Sequence, residues 1–224
     1  MINKIDEFSH VCDLRIGLLG FRSNCLKEPL ENMGLFNFND VEIEDIDESY
    51  DLVVETGVYN IIPNEVLNKP KYGTIGFHES PLPEGRGHAP IQWAILNKRD
   101  NFTITLYKLD KGVDTGKIIY QYNMPISKTD TYETMESKRI NGIQNCFTEF
   151  LKELSSGVIV EREQTGKSSY HKKRNPSDSL LDDSKSLKDL WDNIRICDNE
   201  NYPAHFYVEG KKVILRYEVI DDNK

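Results

Sequence analysis

The chain has 224 residues, with 28 Lys and Arg against 37 Asp and Glu and a formal net charge of -9; it is long enough for one large domain or a main domain with a small appendage. A field of that sign repels polyanions and argues against a broad nucleic-acid surface, and no apolar run approaches the roughly 20 residues a membrane-spanning helix needs. The apolar start lacks the basic, apolar and small-residue order of a secretion signal, and Cys12, Cys25, Cys146 and Cys197 show no CxxC or His spacing, so a cytoplasmic protein with free thiols, no disulfide and no metal is expected.

In chain order, LRIGLLG (14–20) and DLVVETG (51–57) are short apolar runs ending in Gly, each followed by a helix-length stretch, and they read as buried strands in a βα rhythm. The acidic run VEIEDIDESYD (41–51) reads as a solvated loop. YGTIGFH (72–78) is a third strand, the segment 89–96 opens a helix with Pro90 in its first turn, FTITLYKL (102–109) alternates as a fourth strand, and GKIIYQYNM (116–124) adds another. Such alternation implies an α/β fold: a mostly parallel sheet with helices on both faces. From Asp130 to Gly157 one long helix is expected, with an Asp130–Glu133 capping box, an apolar stripe of Ile140, Ile143, Phe147, Phe150, Leu151 and Leu154, and Gly157 as its C-terminal cap. Residues 166–186 are polar and turn-rich, a linker or a binding loop. A short helix over 187–196 and a hairpin over 204–220, turning at Glu209-Gly210, complete a small α+β extension. The expected division is therefore 1–165 for the main domain and 166–224 for linker and extension.

Ligands of open α/β sheets bind beyond the carboxyl ends of the strands, where His78 ends the third strand and the loop PLPEGRG follows it. The residues alone leave two readings of His78 open: a ring hydrogen-bonded to its loop for structure, or a proton-transfer group. Asp114, in the glycine-flanked turn LDKGVDTGK, is likewise open between turn chemistry and function. Brought together by turns at one sheet edge, the carboxylate would orient the imidazole and raise its basicity.

The order FHESPLPEGRGHAP, QWAIL, LDKGVDTGKII, with His78 and Asp114 36 positions apart (114 − 78), resembles the formyltransferases that use 10-formyltetrahydrofolate. The likeness runs from about Leu14 to Tyr217, and the tail SYHKKRNPSDSLLD with YPAHFYVEGKKVIL is similar to sugar N-formyltransferases and to methionyl-tRNA formyltransferase. The resemblance implies a Rossmann-like twisted sheet and transfer of a formyl group from N10 of the folate co-substrate to a primary amine. His78 would stabilise the oxyanion, and Asp114 would orient the ring and help remove the amine proton. Tyr59, Asn60, Ile61 and Ile62 would form one wall of the pterin pocket and Asp110, Lys111, Gly112 and Val113 the other. Arg22, Ser23 and Asn24, with Ser80, Arg86, His88 and Arg174, would meet the acceptor; Lys172, Lys173 and Asn175 would join Arg174 at a diphosphate.

One position departs from the family pattern. The family's N-x-H carries an amide that donates to the formyl oxygen, and here Gly76 stands in its place. Three explanations compete: His78 suffices with a backbone N–H, Asn60 substitutes, or the protein is slow or inactive. Retention of His78, Asp114 and the connecting loop favours an active enzyme. The acidic charge and the end of the chain soon after one hairpin argue against a tRNA acceptor, and the tail argues against glycinamide ribonucleotide. The expected acceptor is a nucleotide-linked amino sugar, with methionyl-tRNA or glycinamide ribonucleotide formyltransferase, formyltetrahydrofolate hydrolysis, and a non-catalytic folate-binding homologue as alternatives. Small-molecule substrates are the expected partners, with no nucleic acid and no membrane, and the hairpin leaves room for a homodimer.

Overall fold

Apolar runs of four to eight residues, too short for a core helix, supply most of the strands of a central sheet. The computed structural model describes residues 2–4, 13–155 and 158–221; the expectations about Cys12 and the Gly157 cap fall outside them. In chain order the elements are β1 (Ile2–Lys4), β2 (Ile16–Leu19), α1 (Lys27–Asn32), β3 (Phe38–Asp40), β4 (Leu52–Glu55), α2 (Asn64–Leu67), β5 (Thr74–His78), β6 (Arg86–Gly87), α3 (Pro90–Leu96), β7 (Asn101–Lys108), β8 (Ile118–Pro125), α4 (Tyr132–Ser155), β9 (Val158–Val160), β10 (Tyr170–His171), α5 (Leu187–Arg195), β11 (Ala204–Val208) and β12 (Lys211–Leu215).

Six strands form the main sheet in the order β3-β2-β4-β5-β7-β8. Pairings from β3 to β5 are parallel; β7 joins β5 antiparallel after a connection that contains β6 and α3, and β8 joins β7 antiparallel across the turn 109–117. The α/β class and the mostly parallel sheet are as expected. Strand β3 has no counterpart in the sequence reading, because its three residues, FND, include two that disfavour strands.

Alternation with period two divides the sheet into two faces. Ile16, Leu18, Leu52, Val54, Ile75, Phe77, Ile104 and Leu106 pack in the larger core with Ile143, Phe147, Phe150, Leu151 and Leu154 of α4. On the other face, Leu19 and Val53 pack with Val41, Ile46, Tyr50, Ile62 and Leu67. The acidic segment 41–51 thus has exposed carboxylates, as expected, but it is fastened by buried Val41, Ile46 and Tyr50.

Helix lengths and caps differ in two places. The stretch after β4 holds a single helical turn, α2, because residues 56–63 run without regular structure first. Helix α4 begins one residue later than the expected box requires. Thr131 and Thr134 cap it instead, each backbone N–H donating to the other's Oγ1 at 2.8 and 3.3 Å. Asp130 accepts the Ser127 N–H at 2.6 Å and pairs with Lys138.

The C-terminal elements have their own small core of Leu181, Leu190, Ile194, Cys197 and Ala204. Ser186 caps α5 by accepting the Asp189 N–H, and Glu209 and Gly210 both adopt positive φ, 47° and 76°, which a two-residue hairpin turn between twisted strands requires. Buried Arg195 donates to the Ser127 and Asp130 carbonyls, and the Tyr217 hydroxyl accepts the Tyr132 N–H, so this extension is bonded to the start of α4.

Candidate active site

The same period-two rule that sends Val54, Ile75, Phe77 and Leu106 into the larger core turns their neighbours to the opposite face. There Glu55 lies beside Gly76 in the parallel register, Gly76 lies opposite Tyr107, and His78 lies opposite Thr105. Of these, Glu55, His78 and Tyr107 line a cleft of about 640 Å³ at the carboxyl ends of β4 and β5, a size that admits a cofactor-scale molecule.

The two nitrogens of the His78 ring have different surroundings. Nε2 lies 2.9 Å from the Gly85 carbonyl, which can only accept, so Nε2 carries the proton in the neutral ring. Nδ1 then presents its lone pair 3.6 Å from Asp114 Oδ2. Nε2 is thus fixed to the loop, and Nδ1 faces the carboxylate. Asp114 itself sits at φ 53°, the left-handed region that Asp tolerates better than most residues. Its Oδ1 accepts the Tyr107 hydroxyl at 2.9 Å and its Oδ2 the Gly87 N–H at 2.7 Å.

Glu55 was missed in the sequence, although a charged residue closing the apolar run LVVE is itself a signal. It is buried, and its Oε1 accepts the Val58 N–H at 2.5 Å. Burial pushes its carboxyl up to about 7, opposed by the Val58 and Gly57 N–H groups and reinforced by the charges of Glu79 and Asp114. Burial also raises the Tyr107 hydroxyl well above its ordinary range, with Asp114 and Glu55 adding to it.

A chain of alternating charges lines another side of the cleft. Arg139, buried, stands 3.2 Å from Glu79 and 2.9 Å from Glu136, and Glu136 reaches Arg22 at 3.4 Å. Arg139 and Glu136 on α4 were also missed, since on a helix they read as an ordinary solvated face.

All eight residues expected at the folate line the cleft, as do Arg22 and His88. Their parts differ from the expectation: Ile62 is buried, whereas Tyr59 and Ile61 are 92% and 84% exposed, so only Ile62 is wall and the other two are rim. Tyr59 stacks on Phe21 at 5.3 Å, and Asn60 is exposed beside them, while the polar group beside Gly76 is Glu55.

Five residues expected at the acceptor are outside the cleft lining. The Ser23 hydroxyl donates to Asp40, Asn24 is exposed on a 3-10 turn, and the Ser80 hydroxyl donates to the Glu84 carbonyl. Arg86 is held by Gln164 and Tyr170, and Arg174 donates to the Asp178 carbonyl. Of the neighbouring polar residues, Lys172 pairs with Asp178, and Asn175 caps the turn Pro176–Ser179. Basic side chains in a turn-rich segment satisfy local carbonyls and carboxylates first, and the sequence does not reveal those partners.

The segment 166–175 acts as a strap on the loop after His78. Gly85 donates to Ser169 Oγ, Arg86 to the Ser169 carbonyl and His88 to the His171 carbonyl, and β10 pairs parallel with β6. Gly87 permits this contact: its φ is 96° and a Cβ there would lie 2.6 Å from the His171 oxygen. Gln164 donates to the Asp114 and Gly116 carbonyls at 2.9 and 2.7 Å, so the same stretch of chain steadies both halves of the His78–Asp114 pair.

Residues 37–149, which hold β5, the His78 loop and Asp114, match the family described as formyl transferase. The chain belongs to the formyl transferase family. A methionyl-tRNA formyltransferase from Thermodesulfovibrio yellowstonii is 30% identical over 186 residues, covering 81% of this chain and 58% of the relative. A sugar N-formyltransferase from a Shewanella species has the same fold, with a TM-score of 0.74, 18% identity, and 93% of this chain and 99% of that one covered. The formyltransferase PseJ from Anoxybacillus kamchatkensis, solved with UDP-4,6-dideoxy-4-formamido-L-AltNAc and tetrahydrofolate, has a TM-score of 0.61 and 26% identity over 73% of this chain and 87% of its own. This formyl transferase chain spans 58%, 37% and 25% of the length of three curated relatives it matches. Among the described residues, no helix is long and apolar enough to cross a membrane, and no three His, Cys, Asp or Glu side chains gather as metal ligands.

Proposed function

We propose that the protein transfers a formyl group from 10-formyltetrahydrofolate to the primary amine of a nucleotide-linked amino sugar. The observation that carries this reading is the His78–Asp114 pair, 3.6 Å apart on the floor of a cleft within the segment that matches the family. Beside that floor, Ile62 and the backbone of residues 110–113 offer the mixture of apolar surface and amide groups that a pterin uses. Arg22, Glu136, Arg139 and Glu79 provide charges of both signs for an acceptor that carries an amine and a phosphorylated group. The sugar-nucleotide acceptor draws its support from the sugar N-formyltransferase neighbours.

In the proposed reaction the amine attacks the formyl carbon. Its proton passes to His78 Nδ1, because Nε2–H is committed to Gly85, and Asp114 stabilises the imidazolium that results. The proposal differs from the expectation in one step: the imidazole rather than the carboxylate takes the amine proton, and Asp114 keeps its expected part of orienting the ring. As the tetrahedral carbon collapses, the C–N10 bond breaks and N10 receives the proton from Nδ1. The products are tetrahydrofolate and the N-formylated amine.

A second reading, methionyl-tRNA as acceptor, is favoured by the curated relatives. The test is tetrahydrofolate release from 10-formyltetrahydrofolate with a panel of amino-sugar nucleotides and with methionyl-tRNA. Release that depends on an amino-sugar nucleotide supports the first reading. Release only with methionyl-tRNA replaces it with the second, and release without any acceptor replaces both with hydrolysis.

A further inference from the structure

Gly76 occupies the centre of a row that crosses the sheet from Glu55 to Tyr107. A Cβ at Gly76 would stand 2.8 Å from Glu55 Oε2 and 2.6 Å from Leu109 Cδ1, so the space that a side chain at position 76 would fill is taken by the Glu55 carboxyl. That carboxyl and the His78 ring are therefore on the same face at the ends of adjacent strands, lining one cleft. With its Nε2–H held by Gly85, the neutral His78 ring has no N–H for an oxygen in the cleft. A formyl oxygen gaining negative charge needs a donor supplied by another group.

We propose that Glu55 is a catalytic residue whose carboxyl O–H, standing over Gly76, donates a hydrogen bond to the formyl oxygen as charge develops there. The assignment rests on the formyl-transfer reading. When the amine forms its bond to the formyl carbon, the carbonyl electron pair moves onto the oxygen and the Glu55 O–H bond to it strengthens. When the C–N10 bond breaks, the pair returns to the carbonyl. Glu55 keeps its proton through the cycle, and the proton transferred from amine to N10 travels on His78.

The surroundings of Glu55 favour its acid form. Leu109 covers it from beyond β7, Glu79 faces it from the end of β5 and Asp114 from the turn between β7 and β8, and both are carboxylates. Tyr107, His78, Asp110 and Lys111 also line this cleft, and Arg139, a buried cation in its lining, is paired with Glu79 and Glu136. Only the Val58 and Gly57 N–H groups favour the ionised form, and its carboxyl, at about 7, retains its proton over much of the neutral range.

The test compares the parent with Glu55→Ala and Glu55→Gln in two measurements. The first is turnover from pH 6 to 8. Glu55→Ala is expected to lower kcat by about 10²–10³, the cost of one oxyanion donor. Glu55→Gln, whose amide also donates, is expected to recover turnover to within about ten-fold of the parent. With a midpoint at about 7, the acid form is about half of the carboxyl at pH 7 and about a tenth at pH 8, so the ratio of parent to Glu55→Gln is expected to fall about five-fold over that unit. The second measurement is the affinity ratio between 10-formyl-5,8-dideazafolate and 5,8-dideazafolate. The parent is expected to favour the formylated compound and Glu55→Ala to lose that preference. A Glu55→Ala protein with the parent's turnover, or with the parent's affinity ratio, overturns the assignment and leaves formyl transfer standing; so does a flat ratio of parent to Glu55→Gln across pH. A parent that releases no tetrahydrofolate and binds neither folate overturns the formyl-transfer reading and this assignment with it.

Discussion

A buried ionisable group acts on stability as well as chemistry, and Glu55 shows both. Its carboxyl has an ordinary value of 4.5 and is pushed up to about 7 by burial in the folded chain. Between these values the folded state holds more protons than the unfolded state, so stability falls as pH rises through that window. Above it the full penalty is in force, about 3 kcal/mol at most. Glu55→Gln removes the penalty. Urea denaturation should therefore give Glu55→Gln a higher midpoint than the parent at pH 8 and a converging one near pH 4.5. Asp114 acts through the charge it places beside the His78 ring. Asp114→Asn keeps a side chain of the same shape for Tyr107 and Gly87 but removes the charge that supports the imidazolium. Steady-state kinetics should show kcat lowered by about 10²–10⁴, while the dideazafolate affinity stays within a few-fold.

Elements position these groups through contacts between segments far apart in sequence. The strap at residues 169–171 bonds to a loop that begins some eighty residues earlier, and Gly87 is where the two backbones come closest. Gly87→Ala forces a side chain into a φ of 96° and against the His171 carbonyl. The expected cost is about 1–3 kcal/mol, measured by urea denaturation, and a rise in the amide hydrogen exchange of Arg86 and His88, whose N–H groups bond to the strap. An unchanged exchange rate at those two amides would refute the strap's role. In α4, by contrast, apolar period and packing largely agree: of the expected stripe, Ile143, Phe147, Phe150, Leu151 and Leu154 are buried and Ile140 is half-buried. Its cap was misread by one residue because Asp130, Thr131 and Glu133 all suit a helix start, and the choice is made by Lys138 and Ser127 drawing Asp130 away.

At the scale of the molecule, the cleft joins β4, β5, the turn after β7 and one side of α4, so a ligand that fills it ties together elements that otherwise meet only through the sheet. A folate analogue at one hundred times its Kd should add about 2.7 kcal/mol, which for a chain of this size raises Tm by roughly 5–10 °C. A thermal scan checks this, and a Tm independent of the analogue would count against the folate site. The larger core sets the stability on which that gain is superimposed. Phe150 is fully buried and stacks on Phe147 at 6.0 Å. Phe150→Ala should cost about 3–5 kcal/mol, a large part of the 5–15 kcal/mol typical of a folded domain.

The sequence by itself determined the layered α/β class, the strands β2, β4, β5, β7 and β8, the long helix α4 and the two motifs ending at His78 and Asp114. Each of these is written locally, in apolar period or in the spacing of Gly, Pro and Asp, and short-range sterics and burial translate such patterns directly into structure. Only the tertiary structure decided which nitrogen of His78 is free, since that depends on the Gly85 carbonyl seven residues away and on Asp114 across the sheet edge. It alone placed Ser23, Ser80, Arg86 and Arg174 on partners outside the cleft, and it alone set Glu55 in the space that Gly76 leaves. A carboxyl's chemistry is fixed by its burial and neighbouring charges, and those come from strands brought together by folding rather than from its place in the chain.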